Sequence, residues 1–263
     1  MLLLALEHGL QVTVHHVDHH VRPTSTDEAR YVASVCESLG VAVVVHDVHL
    51  ESGENFEARA RRARRSVLPP GALTAHTMDD VVETMVLNTL RGAGRLGLSP
   101  MIGSPTKPLV GVRREALHAW LATTAFTPVH DETNDDIRYR RNHVRHELLP
   151  LMCEVAQRDV VPILYRQAVL LGEEEQWLNE LTHEDQSLGL GDVDCRDLRT
   201  WPLARQRRWL RGVLAQDDDP LDTHPPTADE VERALAVVRG EVTACELSGG
   251  RRLSRTDQRL KLT

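Results

Sequence analysis

The sequence predicts an α/β fold in which a parallel sheet flanked by helices is followed by a smaller, mostly helical domain. Two observations predict it. From Val12 to Ala75, short β-branched runs alternate with helical patterns of about a dozen residues, the signature of parallel strands joined by crossover helices. Beyond Pro150 the strand signal stops and apolar residues recur at helical spacing instead. The 263 residues give ample length for two such domains, expected at 1–152 and 153–263.

Leu2 to His8 reads as the end of a helix stopped by Gly9. Val12 to Asp18 is a strand, Asp27 to Leu39 a helix ended by Gly40, Val41 to His46 a second strand, and Glu54 to Leu68 a second full helix. Leu73 to Ala75 is a short third strand. It leads into His76-Thr77-Met78-Asp79-Asp80-Val81-Val82-Glu83-Thr84, where Thr77 followed by Asp80 signals a helix start and Val82, Met85, Val86 and Leu90 mark its apolar face. A helix at Arg114 to Thr124 follows the glycine-rich segment 92–98, whose spacing matches neither a Walker loop nor the dinucleotide fingerprint. Helical signals then cover Val155 to Leu181, Leu203 to Leu214 and Glu230 to Arg239, with a loop from Asp217 to Pro226 and one or two strands between Thr243 and Leu262.

Composition narrows the function. The net charge is −8, yet arginine supplies nearly all the positive charge, gathered at 59–65, 138–145 and 205–211. Local basic patches on an acidic chain still attract a polyanion. The four cysteines form no CxxC pair, which argues for reduced cytosolic thiols and against a zinc or disulfide framework. No stretch approaches the ~20 apolar residues of a membrane span.

In parallel sheets, ligands bind beyond the carboxyl ends of the strands. Asp18-His19-His20 and the segment His76 to Glu83 both fall at such ends. Asp79 and Glu83, four apart, share one side of the first helical turns with Asp80. Acids there also favour the helix dipole, by roughly 0.3–1 kcal/mol each.

These motifs closely resemble one family, the tRNA(Ile)-lysidine synthetases of the N-type ATP pyrophosphatase (PP-loop) group. The resemblance runs through Val17-Asp18-His19 with Arg22-Pro23, Asn55-Phe56-Glu57 with Ala60-Arg61 and Ala63-Arg64, Ala75-His76, Asp79-Asp80, Glu83-Thr84 and Arg91-Gly92. It continues through Gly97-Leu98, Met101, Lys107-Pro108-Leu109 with Arg113, Asp131-Glu132 with Asn134, Arg141-Asn142 with Arg145, and Leu149-Pro150. It is looser over Arg205 to Leu214 and Gly250 to Leu262. It implies an adenine-nucleotide alpha-hydrolase-like (Rossmann-like) first domain and a tRNA-binding second domain.

The activity implied is ligation of lysine to C2 of the anticodon wobble cytidine in an AUA-decoding tRNA(Ile) with a CAU anticodon. ATP first adenylates the base, and free L-lysine then displaces AMP. The resemblance makes His76, Asp79, Asp80 and Glu83 catalytic, with Mg2+ on Asp79 and Asp80. Asp18, His19, Arg61, Arg64, Arg91, Gly92 and Arg113 become ATP-binding. Arg141, Asn142, Arg145, Arg205 and Arg208 become tRNA-binding. A cytoplasmic location follows, and a homodimer is an allowed assembly.

This sequence departs from the family at Arg65, where tyrosine is usual, and at Thr77, where a second histidine is common. The family's Ser-Gly-Gly-x-Asp-Ser phosphate loop does not occur, and Ser248-Gly249-Gly250 is no substitute because Arg251-Arg252 follow it with no helix signalled. The first domain is therefore expected to be truncated at its N-terminus, and the chain as written to bind ATP poorly. Two other readings stay open. Asp18-His19-His20 with His76, Asp79 and Asp80 resembles the metal site of Asp-His-His phosphoesterases, and the chain as a non-catalytic tRNA-binding remnant is the third.

Overall fold

The computed structural model describes residues 1–18, 20, 25–49, 56–129, 134–215 and 226–263, the side chains of Phe56, Glu57, Ala58, Arg61 and Gln186 excepted. His19, Arg22-Pro23, Asn55, Asp131-Glu132 and the loop over 217–225 lie outside the described residues, and so does the Arg61 side chain. The chain divides into two compact units, Met1–Glu175 and Gln176–Thr263.

The first unit starts with α1 (Leu2–Glu7), β1 (Thr13–Asp18), α2 (Ser25–Ser38), β2 (Ala42–Asp47) and α3 (Phe56–Val67). β1 and β2 pair in parallel, in register from Thr13 opposite Ala42 to Asp18 opposite Asp47. The expected third strand is not one. Residues 72–77 run without a ladder, and the Thr74 N–H donates to the Thr106 carbonyl in a loop at 2.9 Å. A three-residue stretch entered from Pro69-Pro70-Gly71 is too short to propagate pairing once its central amide is taken elsewhere.

α4 (Met78–Leu90) is the buried helix of this unit. Val82 and Val86 pack on Val144, Leu149, Val160 and Val161, while Val81 and Met85 pack on Ala168 with Leu98, Met101 and Ile102 beside them. Burying such side chains contributes about 1.5–3 kcal/mol each. Leu90, expected on the apolar face, is 69% exposed. Around α4 lie α5 (Arg95–Leu98), α6 (Arg114–Leu121), α7 (Arg140–His143), a π-helical turn at Val144–Leu148, α8 (Leu149–Ala156) and α9 (Val161–Leu181). Packing of 149–168 onto α4 places residues 153–175, assigned from the sequence to the second domain, within the first compact unit.

The second unit contains α10 (His183–Gln186), α11 (Cys195–Leu198), α12 (Leu203–Ala215), α13 (Ala228–Arg239) and an antiparallel sheet of β3 (Ala244–Glu246), β4 (Arg252–Thr256) and β5 (Arg259–Leu262). Its core joins Trp209, Leu210 and Leu214 of α12 to Val231, Leu235 and Val238 of α13, and to Leu253 and Leu260 of the sheet. Where the sequence signals one or two strands there are three.

Candidate active site

The start of α4 is fixed by its own sequence. Thr77 caps the helix in extended backbone (φ −105°, ψ 174°). Its hydroxyl accepts from the Asp80 N–H at 3.4 Å, and Asp80 Oδ2 accepts from both the Thr77 N–H and the Thr77 hydroxyl at 2.7 Å. This is the capping box foreseen from the sequence. It orients Asp80 and leaves its second oxygen for other partners.

Those partners are arginines from distant parts of the unit. Asp79 Oδ1 accepts from Arg113 Nε at 3.2 Å and Oδ2 from the Arg114 backbone N–H at 2.7 Å. Asp80 Oδ1 accepts from Arg114 Nη2 and Arg141 Nη2, each at 2.9 Å. Glu83, fully buried, receives three guanidiniums: Arg145 Nε at 2.7 Å and Arg114 Nη2 at 3.1 Å on Oε1, and Arg141 Nε at 2.7 Å and Arg145 Nη2 at 3.1 Å on Oε2. Arg113 also bonds Asp159. Four guanidiniums thus enclose three carboxylates. Burial alone would drive Glu83 and Asp80 towards the neutral form. For Glu83 the Arg145, Arg114 and Arg141 guanidiniums outweigh it, and for Asp80 the Thr77 N–H and hydroxyl with Arg114 and Arg141 do, so both carboxyls sit below their usual pKa. Burial, with Asp159 and Asp79 prevailing over it, leaves Arg113 raised, and Arg145 is raised by Glu83 in the same way.

His76 stands just before the cap, its Nδ1 2.9 Å from the Thr74 hydroxyl. Burial first, then the positive charge of Lys107, lowers its pKa below 6.5. It is neutral at pH 7.

The structure gathers the acids with Arg113, Arg141 and Arg145, residues for which the resemblance implies separate ATP and tRNA roles. The hydrogen bonds of these arginines point inward to carboxylates. Asn142 is also buried, its side-chain amide donating to the Asp136 carbonyl at 2.9 Å. Arg114 was missed by sequence reasoning. Its signal was present, since Arg113-Arg114 is a doublet at a helix start, but nothing local says which carboxylates it meets. Arg91 and Gly92 close the C-terminal end of α4, about 20 Å along the helix from Asp79, and do not join the acids. Asp18 ends β1 as a buried carboxylate. Arg64 is exposed and lines a cavity of about 690 Å³ with β1 and the Pro69–Ala75 stretch. In the second unit, Arg205 binds Asp185 through two bonds, at 2.8 and 2.7 Å, and lies 3.9 Å from the Trp201 ring centre. Arg208 bonds Thr182 and Asn179.

The expected Mg2+ ligands fail a simple test. Each carboxylate oxygen of Asp79 and Asp80 already accepts one or two N–H or O–H donors, so a cation there would have to displace guanidiniums. These residues do not fit Mg2+ as arranged.

Residues 1–152 match the family model of the PP-loop domain. The chain is 35% identical over 239 residues to the tRNA(Ile)-lysidine synthase of Vibrio cholerae serotype O1, which covers 84% of this chain and 54% of that protein. It is 31% identical over 225 residues to the tRNA(Ile)-lysidine synthase of Coxiella burnetii (79% and 50%), and 34% over 215 residues to that of Chromobacterium violaceum (76% and 49%). The chain spans about half the length of these curated relatives. The PP-loop match takes in β1, β2 and the whole of α4 with its enclosing arginines, and the chain belongs to the PP-loop family.

Proposed function

We propose that this chain works as a tRNA(Ile)-lysidine synthetase, with the PP-loop residues 1–152 as the core of the catalytic, ATP-using unit and the second compact unit, Gln176–Thr263, engaging tRNA. The observation that carries the reading is the arginine enclosure at the start of α4, set within a PP-loop domain whose relatives bear that name. A guanidinium offers five N–H donors, and Arg114, Arg141 and Arg145 spend only part of theirs on Asp80 and Glu83. Their side chains are 22–27% exposed. The enclosure therefore has donors left for phosphate oxygens while the carboxylates hold it in place.

In the proposed reaction, O2 of the wobble cytidine attacks the α-phosphorus of ATP and pyrophosphate leaves. The amine nitrogen of lysine then attacks C2, the C2–O bond breaks and AMP departs, with the amine proton passing to a base. His76, neutral at pH 7, suits that last role. The hydrolase reading requires Asp79 and Asp80 as metal ligands, and their oxygens are already taken by Arg113, Arg114, Arg141 and the Thr77 cap. Among the described residues no helix is long and apolar enough to cross a membrane.

The test is lysine-dependent release of AMP and pyrophosphate from ATP on a CAU-anticodon tRNA(Ile) transcript, using the full gene product that contains these residues. Lysine incorporation at the wobble cytidine supports the proposal. Tight tRNA binding without adenylation sinks it and favours the non-catalytic reading.

A further inference from the structure

At the carboxyl ends of β1 and β2, Asp18 and Asp47 are register partners, so two carboxylates lie side by side at the sheet rim. The pairing is held to its last residue, since the Val48 N–H donates to the Asp18 carbonyl at 2.8 Å. His20 reaches both carboxylates. Its Nε2 is 3.0 Å from Asp47 Oδ1, its Nδ1 is 3.6 Å from Asp18 Oδ2, and its backbone N–H donates to Asp18 Oδ1 at 2.8 Å. Charge balance here is opposite to that at α4, where four guanidiniums offset three carboxylates. Among the described residues neither Asp18 nor Asp47 pairs with an arginine or lysine; His20 is within ion-pair distance of both, and the Ser25 hydroxyl and the His16 imidazole also act on Asp18. Adjacent like charges repel unless a cation lies between them.

We infer that Asp18, His20 and Asp47 form a binding site for a divalent transition metal of the zinc class. One ligand atom from each residue can be chosen so that all lie within 4.8 Å of one another. Zinc bonds of about 2.0–2.2 Å place ligand atoms roughly 3.3 Å apart, so modest side-chain rotations close the set. One imidazole nitrogen with two carboxylate oxygens favours a transition metal over the all-oxygen shells of Mg2+ and Ca2+. His49 supplies a second imidazole beside the site. Its ring stacks on His20 with centroids 4.5 Å apart, and it is exposed and able to turn into a fourth position. His20 and Asp47 are solvent-facing, so ions reach them without opening the fold. This site is separate from the α4 enclosure and does not depend on the lysidine reading.

The test is calorimetric titration of the chelator-treated protein with Zn2+ alone, repeated with Co2+ so that visible absorption reports the coordination geometry. The expected result is one saturable equivalent, with His20→Asn and Asp47→Asn each weakening it by at least about tenfold. Both substitutions are on the surface, and unchanged far-UV circular dichroism and melting of the metal-free variants confirm that they fold. His118→Ala, elsewhere in the first unit, leaves the affinity unchanged. Absence of a saturable equivalent, or affinity that either the His20 or the Asp47 variant leaves intact, overturns the inference.

Discussion

Glu83 remains charged without solvent because three guanidiniums reach it, and this makes it the most consequential single residue in the first unit. Glu83→Gln keeps the shape but removes the charge that Arg114, Arg141 and Arg145 share. Disrupting a buried ion pair from one side costs about 3–5 kcal/mol, and urea unfolding at pH 7 is expected to show a loss of that size. The pH dependence has a definite sign. The folded pKa of Glu83 lies below its unfolded value, so its contribution is complete above about pH 4.5 and disappears as pH falls through the folded value. The stability gap between wild type and variant therefore narrows in acid, and a gap that stays constant as pH falls below 4.5 would refute this account. The acids themselves were legible in the sequence, because they sit at helical spacing behind a cap. Their partners were not, since Arg114 and Arg145 lie 31 and 62 residues further on and only tertiary packing brings them back. That is why residues expected to hold ATP and tRNA separately turn out to share one charge network.

Two helices of the fold are set by the same device at their first turn. In α13, Thr227 and Glu230 form a capping box, and Glu230 Oε1 also accepts from the Ser248 N–H and hydroxyl, tying the helix start to the turn between β3 and β4. Burial opposes ionisation of Glu230, but the Ser248 and Thr227 donors prevail and bring its pKa from 4.5 to about 2. A shift of that size is worth about 3 kcal/mol. Glu230→Gln is expected to lose stability of that order at neutral pH, measured by thermal unfolding followed at the buried Trp209, with the deficit fading between about pH 5 and pH 2. A close approach shapes α9, where a Cβ on Gly172 would lie 2.8 Å from Ile102 Cγ2. Gly172→Val should cost about 1–3 kcal/mol by overpacking, read as a lower urea midpoint, and an unchanged midpoint would show that the contact yields freely. Helices were legible at this scale because capping and apolar spacing are local. Leu73 to Ala75 looked like a strand for the same local reasons, yet strand formation requires a partner along its whole length, and the Thr74 amide is spent on Thr106.

For the whole molecule, alternating strands and helices gave the α/β class correctly, while the boundary between units depended on packing that no local pattern reports. α8 and the first turns of α9 belong with α4 because Leu149, Val160, Val161 and Ala168 bury themselves against it. The net charge of −8 means that any grip on tRNA comes from local patches, and the structure separates two kinds of arginine within the basic run at 138–145. Arg145 is bound to Glu83, whereas Arg140, at the first position of α7, is exposed and among the described residues has no ion pair. These should behave differently when tRNA affinity is plotted against salt. Each phosphate contact contributes about 0.7–0.9 to the slope of log K against log salt. Arg140→Ala is expected to lower that slope by roughly one contact while leaving the melting temperature in place. Arg145→Ala is expected to lower the melting temperature and leave the slope of the remaining folded protein unchanged, because its guanidinium serves Glu83. A reduced slope in the Arg145 variant without loss of stability would return Arg145 to the tRNA-binding role and show that the enclosure opens when tRNA binds.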